Sequence, residues 1–317
     1  MFGEKKISLV IPAHNEERLI VPTLEGVPET IDRVYVIDDA SQDSTCEVVQ
    51  RYAERDPRVV LLRHEVNKGV GAAIITGYLQ SSADDFDIAV DPLEGTNFAA
   101  NNLPGALSVI AITEKNNLFN APETYMEKIS SKVRENGVID LDFTVKKNIS
   151  NLSDYLNKNP ENLTACILNR PRHQRIIDEL KNLKVKTKLI TDGDVSGALL
   201  VTDQKYDVDI FLGTGGGPEG VLAATALDAF NCGFQGRFLF ESNEEKLRAK
   251  KMGIDDLTKK YELKEIVSGD SIFCATGITS GDLVSGIIIE GNEFISESLV
   301  THKSSGTKKI LNLKKKI

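Results

Sequence analysis

The sequence lacks the features that mark several common protein classes. Its four cysteines, Cys46, Cys166, Cys232 and Cys274, are far apart and form no C-x-x-C pair, which argues against zinc-ribbon and redox motifs. The apolar run near the N-terminus, ISLVIP, is too short for a signal sequence and far too short to span a bilayer. We therefore expect a cytoplasmic protein with no membrane partner.

The sequence also has no excess of positive charge, because 47 acidic residues outnumber 38 Lys and Arg and the formal net charge is −9. Nucleic-acid-binding proteins gather Lys and Arg on one face, so this balance argues against a nucleic-acid partner. The only basic cluster, Lys308, Lys309 and 314–316, is predicted to be a solvated end of the chain. A protein of this charge needs metal ions or local pairs of arginines to handle an anionic substrate.

The first eighty or so residues alternate strand and helix patterns. β-Branched runs predict strands at ISLVIP, RVYVID and RVVLLR, and amphipathic stretches predict helices at Glu16–Leu24, Asp43–Arg55 and Val70–Leu79. This β-α-β-α-β-α order predicts a parallel sheet with ligands at the carboxyl ends of its strands.

Polar motifs follow these strands: PAHNEE after the first, DDASQDST after the second and NKGVGAA further on. An Asp pair that closes a strand can accept hydrogen bonds from a base or a ribose, although Asp43 or Ser44 can simply cap the next helix. In this order the motifs resemble the nucleotide-sugar half of the family 2 inverting glycosyltransferases over residues 6–80. The resemblance implies an N-terminal segment of glycosyltransferase A type that binds a nucleotide sugar through Pro12, Asn15, Glu16 and Asp39.

The sequence pattern changes near Asp85, and the first motif after the change is DPLEGT, Asp91 to Thr96. Pro92 is predicted to end the preceding strand DIAV, and carboxylates three residues apart can hold one hard divalent cation. Thr96 stands where a helix is expected to start, and helix N-terminal amides bind phosphate oxygens. A polar turn with a cap is the simpler alternative.

Three further motifs can likewise be interpreted either as binding elements or as ordinary structural features. GTGGGPEG is predicted to be a glycine-rich loop that presents Glu219 before a helix, or a plain helix-entry turn. NRPRH offers two forked donors for a phosphate, or two surface charges. TDGDV places two aspartates after the predicted strand KTKLI, or forms an ordinary turn.

Taken together, DPLEGT, NAPETYMEK, LNRPRH, DGDV, GTGGGPEG and CATGITSGDL resemble the class II fructose-1,6-bisphosphatases over residues 85–310. The resemblance implies an α/β layered sandwich of the lithium-sensitive sugar phosphatase type. It also implies hydrolysis of the 1-phosphate of fructose 1,6-bisphosphate, with sedoheptulose 1,7-bisphosphate as a second substrate, in gluconeogenesis. In that family two metals, Mn²⁺ or Mg²⁺, activate a water and neutralise the leaving oxygen.

The same resemblance assigns residues to roles. The implied catalytic residues are Asp91, Glu94 and Thr96, and the implied metal ligands are Asp91, Glu94 and Glu219. Contacts to the sugar bisphosphate are implied for Glu94, Gly95, Thr96, Tyr125, Arg170, Pro171, Arg172, Asp192, Gly193, Asp194 and Gly216. Arg170 stands where the family usually has Lys, which keeps the charge and changes the geometry.

Residues 1–84 lack the family's N-terminal metal-binding Asp and its Gly-Glu-Gly-Glu strand end. We therefore predict two domains, a glycosyltransferase-like segment at 1–84 and a phosphatase-like domain at 85–317, with impaired turnover because half of the metal ligands are replaced. We also expect a homo-oligomer. The alternatives are a nucleotide-sugar glycosyltransferase and a non-catalytic hybrid that binds sugar phosphates.

Overall fold

The computed structural model describes residues 8–83, 88–114 and 116–316. The chain divides into two compact units, residues 1–88 and 89–317. Both units combine helices with sheets, one sheet being parallel and others mixed, so the predicted α/β class is confirmed. Within the described residues no helix is both long enough and apolar enough to cross a bilayer.

The first unit is a parallel three-stranded sheet with helices between its strands. Its elements are β1 Ser8–Ala13, α1 Ile20–Glu25, β2 Arg33–Asp38, α2 Thr45–Ala53, β3 Val59–Arg63 and α3 Val70–Ala83. The sheet order is β1-β2-β3, and both pairings are parallel. The predicted parallel sheet is therefore confirmed.

The core of the first unit comes from the apolar faces of these elements, with β2 buried from its second residue to its last. The first helix begins later than predicted, at Ile20 instead of Glu16. Asn15 has a positive φ of 59°, and the Glu16 N–H donates to the Thr45 hydroxyl at 2.7 Å. Because these residues link two loops at the sheet edge, the polypeptide enters the helix only after them.

The second unit holds two larger sheets and the remaining helices. Its strands are β4 Ile88–Glu94, β5 Leu107–Thr113, β6 Tyr125–Ser131, β7 Thr164–Leu168, β8 Lys186–Ile190, β9 Ile210–Gly216, β10 Gly233–Leu239, β11 Lys260–Glu262, β12 Ser271–Gly277, β13 Ile288–Glu290, β14 Glu293–His302 and β15 Thr307–Lys316. Its helices are α4 Thr96–Ala100, α5 Val145–Leu156, α6 Gln174–Asn182, α7 Asp194–Leu199, α8 Gly217–Ala229, α9 Asn243–Lys251 and α10 Leu263–Ile266.

These elements stack in layers. One sheet has the order β11-β10-β6-β9-β7-β8, and the other has the order β13-β14-β12-β5-β4 with β15 paired to β14. Helix α8 contacts strands of both sheets, and most of its residues are buried. Apolar residues of α5 and α6 join a second core cluster with β6, β7 and β9. The larger core cluster, with α7 and α8, lies between the sheets.

Two local predictions are wrong. β4 continues through Pro92 to Glu94. Among the strands that the structure describes, β4 stands at the end of its sheet, and an edge strand tolerates a missing N–H. The glycines of GTGGGPEG do not form a loop: Ile210–Gly216 is strand β9, between β6 and β7, and the helix starts at Gly217. These strand glycines leave room for side chains from neighbouring elements.

Candidate active site

The candidate site lies along one edge of the sheet that contains β7, β8 and β9. These strands are parallel, so the residues after each strand meet at the same edge: Arg170 after β7, Asp192 after β8 and Gly216 at the end of β9. β6 runs antiparallel to β9 and places Tyr125 directly opposite Gly216. Four motifs distant in sequence are thereby brought together.

Arg172 is held in place by two contacts. Its Nε and one Nη donate to the Thr214 carbonyl oxygen at 3.1 and 2.7 Å. Its guanidinium also lies 4.9 Å from the centre of the Tyr125 ring. A guanidinium fixed in this way loses little conformational freedom when it binds a phosphate. The family resemblance implies a substrate contact for both Arg172 and Tyr125, and the structure places them side by side.

His173, which follows Arg172 in the motif NRPRH, is buried, and no role was predicted for it. Its Nε2 accepts the Thr214 N–H at 2.8 Å, so Nδ1 carries the proton and donates to the Leu168 carbonyl at 2.8 Å. Burial, together with Arg172 and Arg170 nearby, lowers the pKa of His173 despite its bond to the Leu168 carbonyl. The neutral ring therefore ties the arginine turn to β9.

Arg170 and Asp192 form an ion pair with 3.6 Å between Nη2 and Oδ1. Pro171, between the two arginines, begins a short 3-10 turn. Gly193 follows Asp192 with φ of 76°, a conformation that side-chain-bearing residues rarely adopt. A side chain at Gly193 would also meet Ser196 at 2.7 Å. The DGDV segment is thus a tight turn that needs its glycine.

Glu94 is buried, and its Oε1 accepts the Val195 N–H at 2.8 Å at the start of α7. Gly95, the next residue, has a φ of 77°, and a Cβ there would meet the Phe98 ring at 2.8 Å. The structure therefore joins the DPLEGT motif to the DGDV motif. The side chains of Asp91 and Thr96 lie outside the described part of the structure, so the roles predicted for them stay predictions.

Asp194 points inward, against β9. Its carboxylate pairs with the ammonium of Lys128, which is itself buried on β6. A Cβ on Gly215 would lie 1.9 Å from Asp194 Oδ2, so the strand glycine makes space for this carboxylate. Lys128 belongs to the motif NAPETYMEK but was not among the predicted site residues. The sequence did contain a signal for this role, namely a lysine at a position of a buried strand that faces the interior.

Glu219 is in the first turn of α8, where a carboxylate is stabilised by the helix dipole. A Cβ on Gly216 would lie 1.9 Å from Glu219 Oε2, so the Glu219 side chain folds back over the end of β9. Glu94 and Glu219 are hard oxygen donors of the kind that Mg²⁺ and Mn²⁺ accept, and the donor set fits such an ion. Within the described residues no group of three or more metal-ligating side chains is preformed.

The residues predicted to bind a nucleotide sugar lie at the carboxyl edge of the first unit's sheet. Asp39 follows β2, and its oxygens accept N–H bonds from Lys68 at 2.9 Å and Gly69 at 2.7 Å. His64 Nδ1 lies 2.7 Å from Asp39 Oδ1. Burial acts to raise the pKa of Asp39, but these hydrogen bonds outweigh it and lower that pKa. Asp39 therefore holds together the loop after β3.

The other three predicted residues stand on or after β1. Pro12 is within the strand, opposite Ile37. The Asn15 side chain accepts the Gln42 N–H at 2.8 Å, and its own N–H donates to the Ser41 hydroxyl at 2.9 Å. Asn15 and Glu16 thus join the loops after β1 and β2.

The second unit's edge combines forked arginine donors with carboxylates, the equipment of a metal-dependent site for a phosphate ester. The sequence profile of the family "Bacterial fructose-1,6-bisphosphatase, glpX-encoded" matches residues 45–315. The chain belongs to this family, whose class 2 enzymes are phosphoric monoester hydrolases.

Curated relatives support this assignment. The chain is 36% identical over 236 residues to a protein of Synechococcus sp. (strain JA-3-3Ab) named D-fructose 1,6-bisphosphatase class 2/sedoheptulose 1,7-bisphosphatase, covering 70% of this chain and 68% of the relative. A protein of the same name from Synechocystis sp. is 35% identical over 241 residues, covering 72% and 70%.

Among solved structures, a mannosyltransferase from Pyrobaculum calidifontis in complex with GDP-Man and Mn²⁺ shows a weak likeness. The TM-score is 0.22 at 18% identity, with 56% of this chain and 38% of that chain covered. A TM-score this low does not establish a shared fold.

Proposed function

We propose that residues 89–317 form a sugar-bisphosphate phosphatase that hydrolyses the 1-phosphate of fructose 1,6-bisphosphate, with sedoheptulose 1,7-bisphosphate as a second substrate. The observation that carries the proposal is the convergence of Arg170, Arg172 and Tyr125 with Glu94 and Glu219 around one sheet edge. The names of the curated relatives point to the same substrates. Gluconeogenesis is the pathway in which we place the activity.

The arginines recognise the substrate in this proposal. Arg172, fixed by Thr214 and Tyr125, donates to phosphate oxygens. Arg170 contributes a second positive charge, and its pairing with Asp192 keeps it at the edge when no ligand is bound. The phosphate thus meets charge that is already oriented, which reduces the entropy lost on binding.

A divalent metal completes the proposed site. Class II fructose-1,6-bisphosphatases are metal-dependent, and we propose Mn²⁺ or Mg²⁺ for this chain. Glu94 and Glu219 would hold it, together with Asp91 as the family resemblance implies. A bound metal supplies charge neutralisation and an activated water. Helix α7 holds Glu94 through the Val195 N–H, and Gly216 leaves space for the carboxylate of Glu219.

We propose that turnover is slow, because residues 1–84 do not carry the N-terminal metal ligands of the family. Asp38 and Asp39 are the carboxylates that would replace them. Asp38 Oδ2 is 3.1 Å from Arg63 Nε, and Asp39 accepts hydrogen bonds within its own unit. These contacts favour a structural role for both, so Asp38→Asn is expected to leave phosphate release unchanged.

Phosphate release from fructose 1,6-bisphosphate, measured with Mg²⁺ and with Mn²⁺, tests the proposed activity directly. Replacing residues 1–84 with the N-terminal segment of an ordinary class II enzyme should raise turnover by orders of magnitude. Fast turnover by the unaltered chain that is lost in Asp38→Asn would show that Asp38 is a ligand after all. No release under either metal, with no binding of fructose 6-phosphate, would contradict the proposal.

We also propose a fold of glycosyltransferase A type for the first unit and a sandwich of the lithium-sensitive sugar phosphatase type for the second. A nucleotide-sugar transferase is the weaker alternative, because the oxygens of Asp39 already accept N–H bonds from its own unit. A non-catalytic sugar-phosphate-binding hybrid is the outcome if binding occurs without turnover.

We also propose a homo-oligomer in a cytoplasmic compartment. All four cysteine thiols are free of disulfides.

A further inference from the structure

Lys128 is a charged residue in the core of the second unit. Its exposure is 1%, and it is among the largest fully buried side chains. It lies on the same face of β6 as Met126 and Ser130, which are also buried, so it faces the interior of the unit. Burying an ammonium costs free energy unless it is paired, and Asp194 is the partner.

Two glycines make the space that this pair occupies. A Cβ on Gly220 of α8 would lie 3.2 Å from Lys128 Cε, and a Cβ on Gly215 of β9 would lie 1.9 Å from Asp194 Oδ2. The lysine therefore passes beside Gly220, the residue after Glu219 in α8, to reach Asp194 at the start of α7. The fold accommodates the pair at the positions where the candidate site is assembled.

The pair is linked to the candidate metal ligand through the polypeptide. Asp194 is the first residue of α7, and the next residue, Val195, donates its N–H to Glu94 Oε1 at 2.8 Å. We propose that Lys128 is a positioning residue: by holding the Asp194 carboxylate against β9 it fixes the start of α7, and with it Glu94. This inference rests on the proposed phosphatase function and adds a residue that touches neither substrate nor metal.

A double-mutant cycle tests this role. Lys128→Met removes the charge at similar length, Asp194→Asn removes the partner's charge, and the double variant leaves no unpaired buried charge. We expect Lys128→Met to lower kcat/KM for fructose 1,6-bisphosphate by about 100-fold, the scale for misplacing a catalytic group. Introduced into Asp194→Asn, the same change should cause no further loss, because Lys128 acts through Asp194.

A purely structural role predicts a different pattern. The double variant should regain thermal stability in either case, but Asp194→Asn also removes an implied substrate contact, so the deciding comparison is Lys128→Met alone: a purely structural role lowers its Tm and leaves kcat/KM of the folded protein unchanged. A loss in kcat/KM of the same factor in both backgrounds, or a lower Tm with unchanged kcat/KM, would overturn the proposal. Lys158→Met is the matched control, because it also removes a lysine that pairs with an aspartate, Asp209, at 2.7 Å. Asp209 precedes the first residue of β9, whereas Gly216 is the last, so this pair lies at the end of the strand away from the candidate site.

Hydrogen exchange of the backbone amides in residues 190–200 provides a measurement that needs no turnover. Lys128→Met should speed exchange there, and Lys158→Met should not. Unchanged exchange in Lys128→Met contradicts the positioning role even if the chain is an active phosphatase. Suppose instead that the wild-type protein neither binds fructose 6-phosphate nor releases phosphate, and that Lys128→Met still exchanges faster than wild type. That result would refute the proposed function and retain the role of Lys128 in fixing α7. If Lys128→Met fails to fold, the double variant and Asp194→Asn supply the same comparison.

Discussion

Arg172→Ala provides a quantitative test of phosphate recognition. The Nε N–H and one Nη2 N–H donate to the Thr214 carbonyl oxygen, which leaves both N–H groups of Nη1 and the second of Nη2 to donate to a ligand. Loss of one hydrogen bond to a charged group costs about 1.5 to 3 kcal/mol. The Kd for fructose 6-phosphate should therefore rise by about 10- to 150-fold.

Isothermal titration calorimetry with fructose 6-phosphate measures this change without any requirement for turnover. Arg175→Ala is the matched control, since Arg175 is 91% exposed and its contact is with Glu179, 3.4 Å away on the same helix. Arg172→Lys should recover only part of the affinity, because an ammonium cannot make the two-point contact to Thr214. The same Kd in wild type and Arg172→Ala would make Arg172 a surface charge and refute the reasoning.

Three further predictions concern the metal, the strand glycine and acid stability. Glu219→Gln removes a charge at constant size, so calorimetric Mn²⁺ affinity should fall while Tm changes little; unchanged affinity removes Glu219 from the site. Gly215→Ala should lower both Tm and phosphate release, because the new Cβ collides with the Asp194 carboxylate; wild-type behaviour would show that the carboxylate moves aside easily. For Asp270, burial acts to raise the pKa, but hydrogen bonds from Ser304, His302 and Ser271 outweigh it and lower the pKa to about 2. Its stabilisation is present above the ordinary pKa of 3.8 and lost as pH falls toward 2, so wild type should lose more Tm than Asp270→Asn between pH 5 and pH 2.5; parallel curves would contradict this.

The strands of the first unit were predictable because their apolar runs are short and bounded by polar motifs, and β2 spans the predicted run RVYVID. The start of α1 was not, since it depends on Glu16 meeting Thr45, a contact across distant loops. Likewise the glycines of β9 resemble a loop in sequence. Their strand conformation follows from pairing with β6, which lies far away in the chain.

In the candidate site, too, some features could be predicted from the sequence and others could not. Carboxylates and arginines in short motifs could be predicted from the sequence. The structure places Arg172 and Glu219 against β9 and Glu94 against the start of α7. The roles of Lys128 and His173 could not be predicted from the sequence, because each depends on a partner that only the folded chain brings near. For Lys128 that partner is Asp194, and for His173 it is the backbone of Thr214.

Helix α8 restricts how the sequence can vary. It has no solvent-facing stripe along most of its length, since both sheets pack on it, and its middle is built of small residues such as Ala223, Ala224 and Ala226. A larger side chain there would have to push two sheets apart, which interiors of native density resist. Substitutions in this helix should therefore be tolerated only at nearly constant volume, and residues on the outer surface of the unit should accept far more change.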